Sequence, residues 1–194
     1  MKQTQSTQRS NTIKTYEKLL PLVYGKVLDF GAGLCHGTKF FNENGIDCKS
    51  FEPHSRDHVS PDFVSSSDIT TKFDSVVSCF VLNVIGDKEY RLNLIRDMVS
   101  KLKDNGSLII AVRSVTNIKS YSKTAKILPY NCFEFPNGVI QKGFTFKDLE
   151  GEISDATGDM FSKGERIKNI SNIAGIWKRS WQVAFSDIIN SYHI

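Results

Sequence analysis

The sequence lacks any apolar run long enough to cross a bilayer. A membrane-spanning helix needs about 18 to 20 consecutive apolar residues, and no stretch of this 194-residue chain approaches that length. The first dozen residues, MKQTQSTQRSNT, are polar where a signal peptide would carry an apolar stretch. We therefore expect a cytoplasmic protein with no membrane partner.

Cysteine is scarce and dispersed, which argues against two common kinds of small domain. The four cysteines form no CxxC pair, so the sequence indicates neither a zinc ribbon nor a disulfide framework. We expect reduced thiols and no metal site. The residues concerned are Cys35, Cys48, Cys79 and Cys132.

A large excess of one charge is also missing. The 25 Lys and Arg residues outnumber the 21 Asp and Glu residues by only four, which by itself does not identify a polyanion binder. The excess lies at the ends of the chain, because residues 1–26 hold five basic and one acidic residue and residues 163–194 hold five and two. If a polyanion binds, we expect these two ends to bind it.

What the sequence does contain is an alternation of strand and helix patterns. With 40% hydrophobic residues, the chain can bury one sizeable core. Strand, helix, strand, strand, helix, strand in this order predicts an α/β fold with a doubly wound, mostly parallel sheet. The predicted strands are 26–30, 46–51, 73–82 and 107–112, with two more in 159–186 around a turn near 172–175, and the predicted helices are 35–44, 87–103 and 144–156.

The remaining segments predict the domain organisation. Residues 1–12 are polar and predict a mobile N-terminal arm, and residues 13–194 predict a single domain that begins with a short helix kinked at Pro21. Residues 114–143 show no sustained period, so we interpret them as an insertion, and such long loops are often functional. We expect a lid over the functional site, with a wall of aromatic residues. Its members would be Tyr16, Tyr121, Tyr130, Phe133 and Phe135.

Unusual residues collect at the carboxyl ends of the predicted strands, where ligands bind in open parallel sheets. Asp29 lies near the end of the first strand, before the turn Gly31-Ala32-Gly33, whose glycines let a ligand approach the backbone. Glu52 stands 23 residues beyond Asp29, at the end of the second strand, where a carboxylate can accept both hydroxyls of a ribose. Further candidates at strand ends are Ser67, Asp68, Ile69, Cys79, Phe80 and Asn83.

These residues lie in tracts that resemble the class I S-adenosylmethionine-dependent methyltransferases. The tracts are VLDFGAGLCHGT at 27–38, FEP at 51–53, SSDI at 66–69, FDSVVSCFVLNVI at 73–85 and LKDNGSLIIAVR at 102–113. The resemblance implies a Rossmann-like, doubly wound sheet of seven strands, with helices on both faces and an antiparallel last strand. It also implies S-adenosyl-L-methionine as the cofactor and transfer of its methyl group to an acceptor.

The resemblance implies roles for individual positions. Asp29, Gly31 and Gly33 would line the methionine end of the cofactor. Glu52 would hold the ribose, and Asp68 with Ile69 would contact the adenine. The complete expected cofactor-binding set is Asp29, Gly31, Ala32, Gly33, Glu52, Pro53, Asp68, Ile69, Cys79 and Phe80.

Two features depart from the family's pattern. Cys35 stands where the family often has a third glycine. Only about ten residues separate Phe63 from Phe73, which leaves no room for the full helix that the family's pattern would place before the 73–82 strand.

The sequence leaves the methyl acceptor open. Transfer from a sulfonium requires the positioning of two partners rather than a particular catalytic residue, and the sequence names no general base. The Asn/Asp-Pro-Pro-aromatic tetrad of nucleic-acid amino-methyltransferases is absent, since Ser78-Cys79-Phe80-Val81 stands in its place. A small molecule and a nucleic acid both remain open as acceptors, and the 114–143 insertion would be the lid on the acceptor side.

Two other functions fit part of the pattern. A nicotinamide-dinucleotide oxidoreductase also carries GxG and an acidic residue about 20 residues later, but His36 stands where that fingerprint needs its third small residue. A non-catalytic protein that retains the S-adenosylmethionine pocket would show the same motifs. Binding of the two cofactors tests the first alternative, and transfer of a labelled methyl group tests the second.

Overall fold

A central sheet with helices on both faces organises residues 10–55, 58–121 and 123–179, which are the residues described by the structure, a computed structural model. The strands are β1 Lys26–Phe30, β2 Asp47–Phe51, β3 Phe73–Cys79, β4 Leu102–Val112, β5 Lys126–Leu128, β6 Cys132–Glu134, β7 Ile140–Lys142, β8 Glu165–Arg166 and β9 Ile173–Lys178. The helices are α1 Ser10–Leu19, α2 His36–Glu43, α3 Lys88–Ser100, α4 Val115–Tyr121 and α5 Phe146–Thr157.

The main sheet has the order β2-β1-β3-β4-β9-β8 and is parallel over its first four strands. In β1, Val27 lies opposite Cys48 of β2 and Ser75 of β3. β9 then pairs with β4 in the antiparallel direction. This arrangement confirms the mixed α/β fold with a mostly parallel sheet, and the antiparallel strand near the end of the chain is present.

Over the described residues the main sheet has six strands, not the seven that the resemblance implied. After β2, the described part of the connection makes an isolated parallel bridge between Phe51 and Phe63, and the Phe63 N–H donates to the Ser50 carbonyl oxygen at 3.0 Å. About ten residues later β3 begins, and the intervening chain forms a 3-10 turn at Ser66–Asp68 instead of a helix.

Alternate strand residues point to opposite faces, and each face is covered by a pair of helices. Val27 and Val77 point towards α1 and α2, whereas Leu28 and Val76 point towards α3 and α5. The buried helix residues include Tyr16, Leu19 and Phe41 on the first face and Ile95, Met98, Leu149 and Ile153 on the second. None of the helices in the described ranges is long and apolar enough to cross a membrane.

The first and last helices test the predicted boundaries. α1 begins at Ser10, so the predicted arm of residues 1–12 overlaps its first turn, and residues 1–9 lie outside the described ranges. A 3-10 turn at Leu20–Leu22, with Pro21 in its first positions, ends the helical segment. α5 has a capping box, since the Thr145 side chain accepts from the Asp148 N–H at 3.1 Å and the Asp148 carboxylate accepts from the Thr145 N–H at 2.8 Å.

The 114–143 insertion contains more regular structure than the sequence indicates. It forms α4 and a separate three-stranded sheet in the order β5-β6-β7. Phe133 of β6 is 1% exposed and lies between Ile127 of β5 and Gln141 of β7 in antiparallel pairing. Each of these strands has three residues, too few for an alternating pattern to be recognised.

The predicted turn near residues 172–175 is also wrong. β9 begins at Ile173, and the connection from β8 precedes it. In the sequence Gly175 is typical of a turn, but in the structure it lies inside β9. A Cβ at this position would stand 2.8 Å from the Phe146 ring. The stacked rings of Phe146 and Trp177 therefore explain this glycine.

A buried ion pair joins α3 to α5. The Arg91 guanidinium donates to both carboxylate oxygens of Glu152, at 2.8 and 2.6 Å, and the two side chains are 4% and 7% exposed. The remaining Arg91 nitrogen donates to the carbonyl oxygens of Ile85 and Gly86, at 2.8 and 3.0 Å. Because Ile85 and Gly86 follow β3, this arginine connects the packing of both helices to the carboxyl end of the sheet.

We expect Glu152→Ala to lower the free energy of unfolding by about 3 to 5 kcal/mol, because it leaves a buried guanidinium without its counter-charge. Equilibrium urea unfolding followed by circular dichroism measures the change. The double variant Arg91→Met/Glu152→Leu, which removes both charges, should recover most of the loss. A loss below about 1 kcal/mol in Glu152→Ala would contradict this account of the pair.

Candidate functional site

The turn between β1 and α2 places two glycines, Gly31 and Gly33, at the carboxyl end of the sheet, where their backbone is not covered by side chains of their own. Gly31 has a φ of +77°, and a Cβ there would stand 2.4 Å from a methyl group of Val81. The N–H groups of Gly31 and Ala32 donate to the Phe51 carbonyl oxygen at 2.8 and 3.0 Å. This position therefore requires glycine, both for its conformation and for its space.

Cys35 shows how the turn accommodates a side chain where the family often has glycine. Its φ is +56°, in the left-handed region, and it is the residue from which α2 begins at His36. The Cys35 N–H donates to the Ala32 carbonyl oxygen at 2.9 Å. This backbone hydrogen bond closes the turn although Cys35 carries a side chain, so the turn forms without the family's third glycine.

Glu52 stands beside this turn, immediately after β2. Its carboxylate accepts from the Gly33 N–H at 2.8 Å through one oxygen and from the His54 N–H at 3.0 Å through the other. Each oxygen can accept a second hydrogen bond. The carboxylate is thus fixed in orientation and still able to bind ligand hydroxyls.

Asp29 is fully buried and does not line the cavity described below. Its two oxygens accept from the Tyr16 hydroxyl and the Thr38 hydroxyl, both at 2.9 Å. Burial raises the pKa of the Asp29 carboxyl to about 6, against the opposing effect of these two hydrogen bonds. Since Tyr16 belongs to α1 and Thr38 to α2, Asp29 connects both helices to β1.

Tyr16 also contacts the first turn of α2 directly. A Cβ on Gly37 would stand 2.1 Å from the Tyr16 ring, and the ring meets Phe41 edge-on with centroids 5.3 Å apart. Tyr16 is 1% exposed and does not line the cavity. Its described contacts include Asp29 and α2, on the side of the turn away from the cavity. The sequence places Tyr16 in a lid, and the structure does not bring it there.

A cavity of about 1050 Å³ opens at the carboxyl ends of β1, β2 and β3. Six residues of the sequence-predicted set line it, namely Gly31, Gly33, Glu52, Pro53, Cys79 and Phe80. The other four do not. Asp29 and Ala32 are buried, Asp68 is exposed at the surface, and Ile69 packs in the core.

The sequence did not point to several residues of the cavity wall. Val64, Ser65 and Ser66 line the cavity together with Leu94 and Asp97 of α3, and Tyr90 lines it from the first turn of the same helix. Tyr90 and Leu94 both lie in the predicted helix 87–103; Tyr90 is 49% exposed, and Leu94 is partly buried against the core. The sequence shows that these two residues lie on one face of the helix, but it does not show that a cavity opens beside that face.

Asp97 is the second carboxylate of the cavity wall. Its Oδ1 accepts from the Ser66 hydroxyl at 2.7 Å and lies 3.6 Å from the Lys101 ammonium. The side chain is 31% exposed. Lys101 also donates to the Ser66 carbonyl oxygen at 2.8 Å, so Asp97, Ser66 and Lys101 form one connected polar group at this end of the cavity.

The end of β3 contributes Cys79 and Phe80. Phe80 has a φ of +64°, an uncommon conformation for a bulky residue that is often found at functional sites. The guanidinium of Arg113 lies 5.4 Å from the centroid of its ring. Burial raises the pKa of the Cys79 thiol well above its usual value, so this residue is an apolar wall element rather than a nucleophile.

The 114–143 insertion reaches the cavity through other residues than those expected. Asn137 and Val139, in the turn between β6 and β7, line it. Tyr130 is 88% exposed and Phe133 is buried inside the small sheet, and Phe135 does not line the cavity either. The side chain of Tyr121 lies outside the described part of the structure.

Comparisons with known proteins bear on the fold. No protein-family model and no curated protein matches the chain at a significant level. The solved 1,6-didemethyltoxoflavin-N1-methyltransferase of Burkholderia thailandensis, with bound 1,6-didemethyltoxoflavin and S-adenosylhomocysteine, is 14% identical with a TM-score of 0.63, over 90% of this chain and 80% of that one.

Two further solved structures are similar. PH0226 of Pyrococcus horikoshii OT3 is 17% identical with a TM-score of 0.63, over 89% of this chain and 92% of that one. CalS10, an amino pentose methyltransferase from Micromonospora echinaspora with bound SAM, is 12% identical with a TM-score of 0.58, over 89% and 92%. At these identities the likeness shows the fold, which is the Rossmann-like fold of S-adenosylmethionine-dependent methyltransferases.

The raised pKa of Asp29 predicts how stability depends on pH. The folded carboxyl titrates at about 6 and the reference value is 3.8, so the protonated form stabilises the fold below about pH 4. That contribution is lost as the pH rises to about 6, and it amounts to about 3 kcal/mol. We expect the unfolding free energy of the wild type minus that of Asp29→Asn to fall over this range in urea titrations. A difference that stays constant would contradict the assignment.

Proposed function

We propose that the protein is an S-adenosylmethionine-dependent methyltransferase whose cavity at the strand ends binds the cofactor. The observation that carries the proposal is the Glu52 carboxylate, oriented by the Gly33 and His54 N–H groups beside a turn where Gly31 leaves no Cβ. A carboxylate with free acceptor capacity suits the two hydroxyls of a ribose. The bare turn suits close approach of the cofactor's methionine end.

The remaining cavity residues fit the other parts of the cofactor. Pro53 and Leu94 present apolar surface for the adenine, and Ser65, Ser66 and Asp97 present polar groups at its edge. An exocyclic amine donates hydrogen bonds, and the Asp97 carboxylate accepts them. We therefore assign to Asp97 and the serines the role that the resemblance implied for Asp68 and Ile69.

Asp29 acts in this proposal as a positioning residue. It does not line the cavity, and its oxygens are occupied by Tyr16 and Thr38. Its effect on the cofactor would be exerted through the shape of the turn that follows it. We therefore assign contact with the methionine end of the cofactor to Gly31 and Gly33 of the turn, and not to Asp29.

The chain's contribution to the reaction is orientation and exclusion of water. When bound, S-adenosylmethionine supplies a methyl group on a sulfonium, which is already activated for transfer. Glu52 and the glycine turn would hold one reactant, while Phe80 and the apolar residues after β3 would shield the reacting region from solvent. No described side chain needs to act as a nucleophile.

The cavity chemistry disfavours a dinucleotide. A pyrophosphate at the glycine turn would lie beside the Glu52 carboxylate, and no Lys or Arg side chain lines the cavity in the described residues to offset its charge. Like charges repel strongly in a partly buried site. The non-catalytic alternative makes the same binding prediction as an enzyme and differs in methyl transfer, so labelled S-adenosylmethionine incubated with separate pools of small metabolites, tRNA and DNA tests it.

We expect S-adenosylhomocysteine to bind in isothermal titration and Glu52→Gln to weaken it about 10- to 100-fold, because the amide places an N–H group against a backbone N–H group and loses an acceptor. The matched control is Glu43→Gln, on the exposed side of α2, which should leave the affinity unchanged. Binding of NADH without binding of S-adenosylhomocysteine would reject the proposal.

The role of Asp97 has its own test. Asp97→Asn should weaken S-adenosylhomocysteine several-fold and leave the affinity of S-inosylhomocysteine, which has a carbonyl oxygen in place of the amine, unchanged or improved. The control is Asp155→Asn, at an exposed ion pair with Lys88 outside the cavity. Equal losses for both ligands would show that Asp97 acts on the fold and not on the adenine edge.

A further inference from the structure

One part of the cavity has no role in the proposed cofactor binding, and the residues that line this part are uncharged. Three separate segments build it. Val81, Val84 and Ile85 follow β3, Tyr90 lies in the first turn of α3, and Asn137 with Val139 comes from the turn between β6 and β7. The wall is mostly aliphatic and offers one phenol and one amide as polar groups.

The turn between β6 and β7 is a built element of this wall. The Phe135 N–H donates to the Val139 carbonyl oxygen and the Gly138 N–H donates to the Phe135 carbonyl oxygen, both at 2.8 Å. The Asn137 side chain accepts from the Val139 N–H at 3.2 Å. Val139 is 7% exposed, so an apolar side chain is fixed against the cavity before any ligand arrives.

The Lys and Arg side chains described close to the cavity bind other groups and do not line it. Arg91 pairs with Glu152 behind Ile85, Arg113 stacks on the Phe80 ring, and Lys101 lies beside Asp97. The acidic and basic side chains that line the cavity in the described residues are Glu52, Asp97 and His54. Although the whole chain carries a net charge of +4, its cavity carries two carboxylates.

We propose that the methyl acceptor is a small uncharged molecule with an apolar face, which enters between Tyr90 and the turn at Val139. The inference rests on the proposed function and names its substrate class. A phosphate or carboxylate placed here would lose hydration without gaining a cation, which is costly. Affinity for a nucleic acid depends on Lys and Arg contacts to phosphates, and the described residues of this wall supply none inside the cavity.

The experiment compares three probes on protein saturated with S-adenosylhomocysteine. They are 2-naphthalenemethanol, which is neutral, 2-naphthoate, which is an anion of nearly the same shape, and a single-stranded oligothymidylate of about 20 nucleotides, long enough to span one binding site. Ligand-observed NMR titration gives the affinities. We expect the alcohol to bind at least about tenfold more tightly than the naphthoate, and the oligonucleotide not to displace it.

Variants locate the bound probe. Val139→Asp should weaken the alcohol at least about tenfold, because it puts a charge against the apolar face, and should leave S-adenosylhomocysteine affinity unchanged. The control is Ile127→Asp in the same insertion, where the side chain is 67% exposed on β5. If Val139→Asp does not fold, Tyr90→Ala, at a half-exposed position, should weaken the alcohol while the cofactor product still binds.

Three results would overturn the inference while leaving the proposed function intact. They are naphthoate binding as tightly as the alcohol, displacement of the alcohol by the oligonucleotide, and unchanged alcohol affinity in a folded Val139→Asp or Tyr90→Ala protein. Failure of S-adenosylhomocysteine to bind the wild type would instead overturn the proposed function, and the acceptor class with it.

Discussion

The buried carboxylate of Asp29 is the constraint on which the rest of the site depends. It joins β1 to α1 through Tyr16 and to α2 through Thr38, and the Tyr16 ring fills the space that Gly37 leaves open. These contacts fix where α2 starts relative to β1, and hence the path of the turn Gly31-Ala32-Gly33. Because the Gly33 N–H orients Glu52, a buried interaction on one face of the sheet determines the chemistry at its edge.

The short connection between β2 and β3 is the second constraint. In its described residues this connection forms a bridge at Phe63 and a 3-10 turn at Ser66–Asp68. The exposed face of α3 then becomes a cavity wall that carries Tyr90 and Asp97. The cavity therefore gains an α3 carboxylate that the sequence did not point to.

Local signals in the sequence predicted the parts of the fold that depend on nearby residues. The strand before Gly31, the helix predicted at 144–156 and the parallel direction of the first four strands are such parts. Asp68 was expected to contact the cofactor, whereas the structure places Ser66 of the same 3-10 turn, together with Tyr90 of α3, in the cavity wall. Which side of a short segment faces the cavity depends on tertiary packing, which the local sequence does not show. The strands of the insertion were missed because three residues are too short to show a period.

The central claim is that S-adenosylmethionine binds at the glycine turn and Glu52. The most direct measurement is a ¹H-¹⁵N correlation NMR titration of the assigned protein with S-adenosylhomocysteine and, separately, with NADH. The account predicts saturable shifts for S-adenosylhomocysteine that concentrate at Gly31, Gly33, Glu52 and Ser66 and are absent from the distant edge strand β8. Shifts at these positions with NADH alone, or shifts with S-adenosylhomocysteine that lie elsewhere in the sheet, would contradict it.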